Sequence, residues 1–493
     1  MHNGSCTFDF GGNVSVQPLS TVRPLSTRQT TALFVDTDHS YTHLVSVWIF
    51  DAESGPNGSI DQQSLEAWMI DQLDVCPIFR RKVYRMPFDL GFPCWVTDRD
   101  LDIRRHITVT GLSTPGWRGL TDEIVRIANR PMDRSRPLWE LHVINDITGA
   151  KTVPDGASAV ILKFHHSVGD GVESVALARR LFGDPNPSWP VLDSARPKFR
   201  VWQIPELTLR QVRQARRATA EMKAAQEDLS SAVESGRVAP TPASRPSTRF
   251  NRVTSGKWTF DVVLFSLTDV QAIRRAVENV TVNDVMLTVV AIALSSYLDT
   301  VGDTPPTSMG SASPKSVFPV KQRVSEPEKG SNQFSTMLVD LHPESENPVD
   351  RLRSIAYSAS LEKSRIGDPR SVRVEHTMDH WPMWLVKYAM WRQKRHAARP
   401  TQNVGATVVV TNVPRGSSQG LSFFGRSAID GFGVLGTCDQ SGLQHVVSSL
   451  GDRISVSFTA CAEAMPDSSL YAEAITRAFR DLQQASTGSG GAD

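Results

Sequence analysis

The stretch FHHSVGDGV, Phe164 to Val172, decides how the rest of the chain is read. The apolar run Ala159-Val160-Ile161-Leu162 just before it predicts a buried strand. After Gly171, the spacing of Val172, Val175, Ala176 and Leu181 predicts a helix. The motif therefore joins a strand to a helix through a tight Gly-Asp-Gly turn, a rigid mount that can aim one imidazole into a cleft. Adjacent side chains at a strand end point to opposite sides, so His165 and His166 do not face the same ligand. One is chemical and the other structural. Gly169 and Gly171 supply backbone freedom at a bend where a side chain would obstruct packing or substrate.

Upstream, strands are expected at Thr42 to Phe50, Ile107 to Thr110 and Leu138 to Ile144. Helices are expected at Ile60 to Leu73, with Asp61 as cap, and at Leu120 to Asn129. Downstream, Pro205 to Gly236 is polar and helix-prone, with Val212, Met222, Leu229 and Val233 as a thin apolar stripe, and Pro240, Pro242 and Pro246 then break it. It reads as an inter-domain crossover, in the plainest case a solvated connection. The second half restarts with a strand at Trp258 to Ser266, a helix at Thr268 to Val277, and a core helix at Val285 to Leu298 capped by Asn283 or Asp284. Further strands fall at Met337 to Leu341, Thr407 to Val410, Leu421 to Phe424 and Ile454 to Thr459. The division is a first domain at 17–195, a linker at 196–252, a second domain at 253–485 and a Gly/Ser tail at 486–493.

A chain of 493 residues exceeds what one core organises, which fits two domains of about 200 residues each. The formal net charge is +1, from 53 basic and 52 acidic residues with no long basic block, and this argues against nucleic acid as a partner. Five scattered cysteines without CxxC spacing indicate neither a disulfide framework nor a zinc site, and favour a reducing, cytoplasmic compartment. No secretory leader is read at the start, and no 18 apolar residues run together, so a spanning segment is not expected.

The motif fits the pattern HHxxxDG. With PLWE at Pro137 to Glu140, TVNDV at Thr281 to Val285, FPVKQR at Phe318 to Arg323 and TNVP at Thr411 to Pro414, it resembles, in order and spacing, the bacterial wax ester synthase/diacylglycerol acyltransferase family. The resemblance runs from Leu19 to Leu482. It implies an α/β fold of two chloramphenicol-acetyltransferase-like sandwich domains with the site between them. It also implies acyl-CoA as co-substrate without a cofactor or metal, and an acceptor that is diacylglycerol or a long-chain alcohol. By the same resemblance the second histidine, His166, is the general base, and His165 supports the site. Asp170 turns away from substrate to pair with an arginine, for which Arg323 is the candidate. PVKQR departs from the PVSxR form more usual in the family, which leaves that wall of the site open. Two other readings share the motif: a condensation-like acyltransferase using a carrier-protein thioester or a small acceptor, and a binding relative without turnover.

The chemistry fits the residue type. Acyl transfer to a hydroxyl needs its proton removed during attack, and imidazole, with an ordinary pKa of about 6.5, is available as free base near neutral pH. Asn283 and Asp284 read either as a helix cap or as support for the site. Pro137, Leu138 and Trp139 read as core or as a wall of the acyl pocket. Gly416 to Gly420 fits GxSxG, but an extended run follows it where a nucleophile elbow needs a helix. His165, His166 and Asp170 make a poor metal set, because the histidines diverge. Residues 380–399 interleave Trp381, Trp384, Leu385, Tyr388 and Trp391 with Lys387, Arg392, Lys394 and Arg395. That pattern suits an interfacial helix touching the inner membrane or lipid droplets, and equally a helix half buried against the domain.

Overall fold

The computed structural model describes residues 23–53, 58–74, 76–150, 152–183, 202, 204–316 and 334–488. The strands of its first half are β1 (Arg23–Pro24), β2 (His43–Phe50), β3 (Arg81–Tyr84), β4 (Cys94–Thr97), β5 (Ile107–Gly111), β6 (Trp139–Ile147) and β7 (Ala157–His165). Those of the second half are β8 (Arg245–Pro246), β9 (Trp258–Ser266), β10 (Gly310–Ser316), β11 (Phe334–Asp340), β12 (Asn403–Val404), β13 (Val408–Asn412), β14 (Ser422–Phe423), β15 (Arg426–Leu435), β16 (Leu443–Leu450) and β17 (Arg453–Cys461). Two six-stranded sheets dominate, in the orders β14-β15-β2-β7-β6-β5 and β11-β10-β13-β16-β17-β9.

The first sheet is covered on both faces, which is why β2 and β7 read as continuous apolar runs. Along β2, Leu44, Trp48 and Phe50 join one buried cluster with the helices Gln62–Gln72 and Gly171–Leu181. The alternate residues Val45, Val47 and Ile49 join another with the helix Trp117–Ala128 and with Trp258, Phe260 and Val262 of β9. In the second sheet, β17 alternates in the same way. Ile454, Val456 and Phe458 face the core built around the helix Val282–Thr300, while Ser455 and Ser457 face the first sheet. The helix Val282–Thr300 is long and apolar enough to cross a membrane by length and composition, but most of it is buried in this core.

The sequence division placed everything after 253 in the second domain, yet β14 and β15 belong to the first sheet. β15 pairs antiparallel with β2, from Leu435 opposite Leu44 to Ala428 opposite Phe50, with an irregularity between Ala428 and Asp430. Its free face packs on the second sheet. The Ser457 hydroxyl donates to the Gly433 carbonyl at 2.6 Å and the Ser455 hydroxyl to that of Gly431 at 3.4 Å. A Cβ at Gly433 would lie 2.9 Å from Val446 Cγ1. Glycine is required here because two sheets meet.

The linker helix spans Ile204–Glu234. Its buried seam is Ala218, Ala225 and Ala232 rather than the expected Val212, Met222, Leu229 and Val233 stripe, because small residues let a second helix approach closely. It docks on the segment around Pro369–His380, with Thr377 Oγ1 donating to Met222 Sδ at 3.2 Å and His380 Nδ1 lying 3.1 Å from Glu221. It is a packed element and not merely a solvated connection. The core helix begins at Val282, three residues earlier than expected, and Thr281 is its cap.

The seam predicts its own weak point. Gly433→Val forces a side chain into Val446 and should cost on the order of 1–3 kcal/mol by overpacking. A denaturant midpoint equal to that of wild type would show that the sheets do not meet closely there.

Candidate active site

The motif strand β7 ends at His165, and the turn that follows is fixed by backbone pairing. His166 N–H donates to the Thr42 carbonyl at 2.8 Å and His165 N–H to the Leu138 carbonyl at 3.2 Å. The two histidines separate as the strand geometry requires. His165 is fully buried, and His166 is half-buried and borders a cavity of about 160 Å³.

His165 is held from both ring nitrogens. Nδ1 accepts from the Ser167 N–H at 3.1 Å and sits 2.9 Å from Ser167 Oγ, while Nε2 lies 3.2 Å from Asp36 Oδ2. Asp36 in turn accepts from the Thr42 N–H and hydroxyl, each at 2.7 Å, and from Arg134 Nη2 at 2.6 Å. Burial pushes the Asp36 carboxyl up, but the hydrogen bonds from His165 and Thr42 overcome it and hold the group below the usual carboxylate range. Beside it, burial and then the charge of Lys163 pull His43 down to about 3, so that ring is neutral. The buried Lys163 amine is satisfied by the carbonyls of Ile127 at 3.0 Å and Arg130 at 2.5 Å and by Glu140 at 3.3 Å. The chain of contacts from Arg134 to His165 is a support for the turn, not a line of substrate contacts.

Asp170 is the N-cap of the helix Gly171–Leu181. Its Oδ1 accepts from the Val172 and Glu173 amides, each at 3.0 Å, while Glu173 Oε2 accepts from the Asp170 N–H at 2.9 Å. This reciprocal box fixes where the helix begins. Arg323, its expected partner, lies outside the described residues together with the rest of FPVKQR. Gly169 and Gly171 do not take the left-handed conformation. Their reason is space and not freedom: a Cβ at Gly169 would meet Glu173 Oε2 at 2.6 Å, and one at Gly171 would meet Val413 Cγ2 at 3.1 Å.

The cavity belongs to both halves. His166, Asp170, Gly171 and Val175 come from the motif, Leu44 to Ser46 from β2, Thr411 to Val413 and Arg415 from the segment that ends β13, and Gly433 to Leu435 from β15. Pro137, Leu138 and Trp139 do not line it. Trp139 stacks on His106 with ring centroids 4.4 Å apart and donates Nε1–H to the Phe79 carbonyl at 3.1 Å. Leu138 packs with Leu25, Leu33 and Trp95. Asn283 and Asp284 do not line it either. Asp284 completes a capping box with Thr281 through Oδ2, at 2.8 Å from the amide and 2.7 Å from the hydroxyl, and its buried Oδ1 has no hydrogen-bond partner among the described residues. Gly416 to Gly420 lies between β13 and β14, without the helix a nucleophile elbow needs. Sequence reading missed Asp36, the β2 and β15 walls, and Arg415. Arg415 directly follows the TNVP landmark, the one signal that could have marked it.

Two mixed α/β sandwiches with an HHxxxDG histidine at the seam define a CoA-dependent acyltransferase fold, and the comparisons specify which kind. The wax ester synthase/diacylglycerol acyltransferase catalytic domain matches residues 25–286, and the WS/DGAT C-terminal domain matches residues 330–483. The chain belongs to this family and is an acyltransferase of the wax ester synthase/diacylglycerol acyltransferase type. A Mycobacterium tuberculosis protein that carries the provisional name diacylglycerol O-acyltransferase is 27% identical over 461 residues, covering 92% of this chain and 89% of its own. The solved wax ester synthase/diacylglycerol acyltransferase of Marinobacter aquaeolei VT8 superposes with a TM-score of 0.64 at 22% identity, covering 94% of this chain and 100% of its own. The trichothecene 15-O-acetyltransferase of Fusarium sporotrichioides shares the fold with a TM-score of 0.56 at 12% identity, covering 95% and 97%.

The support behind the motif has a pH signature. Asp36→Asn should destabilise the protein at pH 7 by on the order of 1–3 kcal/mol. The folded carboxyl titrates below its ordinary value of 3.8, so its contribution is complete above that value and is lost as the pH falls toward the folded value. The gap in urea midpoint between wild type and variant should therefore narrow below about pH 4. A gap that stays constant through acid would contradict the ion-paired role.

Proposed function

We propose that the chain moves a fatty acyl group from acyl-CoA to the hydroxyl of a lipid acceptor, diacylglycerol or a long-chain alcohol, with His166 as general base. The observation that carries this reading is that His166 alone of the histidine pair borders the cavity at the seam. Its imidazole takes the acceptor proton as the hydroxyl oxygen attacks the thioester carbonyl. When the tetrahedral intermediate collapses, the C–S bond breaks and the imidazolium returns the proton to the departing CoA thiolate. No covalent acyl-enzyme is needed, and the TNVP segment and β15 form walls of the cavity in which the transfer takes place.

Base catalysis of this kind contributes about 10²- to 10⁴-fold. His166→Ala should therefore lose that much acceptor-dependent CoA release with palmitoyl-CoA and either diacylglycerol or hexadecanol, while keeping the wild-type melting temperature. Undiminished release by the variant would remove His166 from the chemistry.

A lipid acceptor has to be collected from a surface, and we assign that to the helix Met383–Ala397. Met383 and Val386 are buried on its inner side. Trp384, Tyr388 and Trp391 are 48%, 53% and 52% exposed and recur at helical spacing. The helix carries Lys387, Arg392, Lys394 and Arg395 and no acidic residue. Next to it, Lys387 pairs with Asp89 at 2.6 Å, in the short turn where Phe88 is 81% exposed. Aromatic side chains with a basic surround favour an anionic interface. Trp384→Ala, Tyr388→Ala and Trp391→Ala together should release the protein from phosphatidylglycerol vesicles in a sedimentation assay. Wild-type protein that stays in the supernatant would overturn this assignment without touching the chemistry.

A further inference from the structure

Neither the acyl group nor the alcohol of the proposed reaction carries a charge in its ground state for Arg415 to meet. Its side chain is buried, yet it borders the same cavity as His166. The backbone fixes it, with its own N–H donating to the Ser449 carbonyl at 2.8 Å. The guanidinium lies over the Trp48 ring at 4.7 Å from the centroid, and Nη1 donates to Ser46 Oγ at 2.8 Å. Gly431 makes room for it, since a Cβ there would come within 3.1 Å of Arg415 Cδ.

Among the described residues Nε has no hydrogen-bond partner, and no carboxylate stands within ion-pair distance of this guanidinium. Asp430 acts on it only through space and is itself paired with Arg453 at 3.4 Å. Burial pulls the guanidinium down to about 9, which leaves it charged at neutral pH. A buried cation without a counter-ion is costly, and buried charges are as a rule paired. Asp170, the carboxylate among the described lining residues, is turned to the Val172 and Glu173 amides of its own helix, and the other walls are mostly apolar: Leu44, Val45, Val413, Val434 and Val446. The phosphates of CoA are not the answer, because with the thioester at His166 they stand a full pantetheine arm away from a cavity this small.

We propose that Arg415 recognises a carboxylate carried by one of the two substrates within a few bonds of the reacting carbon. The inference rests on the acyl-transfer reading above. The short reach follows from His166 and Arg415 bordering one cavity of about 160 Å³. A carboxylate is the anion whose geometry a planar guanidinium fork binds best. The chemistry can come from either side of the reaction. The acceptor can be a 3-hydroxy fatty acid whose hydroxyl is acylated, or the donor can be a short dicarboxylic acyl-CoA.

The test compares each acid with its neutral partner. One arm uses palmitoyl-CoA with 3-hydroxyhexadecanoate or its methyl ester. The other uses hexadecanol with succinyl-CoA or its methyl half-ester. Wild type should favour the acid in one arm by roughly 10- to 100-fold in kcat/KM, the worth of a charge-assisted hydrogen bond. Arg415→Met should bring that ratio to about one, and Arg415→Lys should restore part of it. Equal or better use of the neutral partner in both arms by wild type would overturn the proposal, whether or not the Met variant folds. A His166→Ala variant that still turns over the preferred pair would instead overturn the reading on which the proposal rests.

Discussion

Strand β2 has one neighbour from each half of the chain, and the site depends on that pairing. On one side it pairs with β7 from His43 opposite His165 to Phe50 opposite Ser158. On the other it takes β15, which arrives from beyond the second sheet's own strand β13. A single backbone ladder thus sets the height at which the motif turn emerges and brings the second half alongside it. Because the side-chain period of a strand is two, a one-residue slip in either pairing would turn β2's buried faces inside out. Both faces are buried in separate clusters, so the register is strongly held.

What the ladder positions, the turn then divides. His165 is locked between Ser167 and Asp36, and its neighbour is left to face the cavity. Asp170, Glu173 and the two glycines do no chemistry in this account. They start a helix at a fixed point and clear room for Val413 to approach from the other half. The pocket is made of parts that are individually structural, and its selectivity lies in which groups are left facing inward: an imidazole on one wall and a guanidinium on another.

Much of this was legible in the sequence, for identifiable reasons. β7 and its helix announce themselves because burial on both faces leaves an unbroken apolar run, and because the Gly-Asp-Gly turn interrupts it sharply. Asp61 was readable as a cap because a cap is a local interaction, and it accepts from the Ser64 amide as expected. β15 was not readable. Arg426 to Leu435 carries an aspartate and two glycines, which weaken any strand signal, and only distant neighbours explain the glycines, Val446 at Gly433 and Arg415 at Gly431. Asp36 and Arg415 were invisible for a related reason. Each is a lone charged residue whose burial depends on partners far along the chain, 129 residues away for Asp36 and His165 and 369 for Arg415 and Ser46. Of the two readings open for Asn283 and Asp284 the structure favours the cap: Thr281 holds the cap position and Asp284, three residues on, closes the box with it.

The measurement that bears most directly on this account is a crystal structure with a non-cleavable thioether analogue of palmitoyl-CoA. The account predicts the sulfur in the cavity beside the His166 imidazole, between the β2 and β15 walls and the TNVP segment, with His165 still bound to Asp36. An analogue seated elsewhere, with the cavity at the seam closed to it, would contradict the assignment of that seam as the place of reaction.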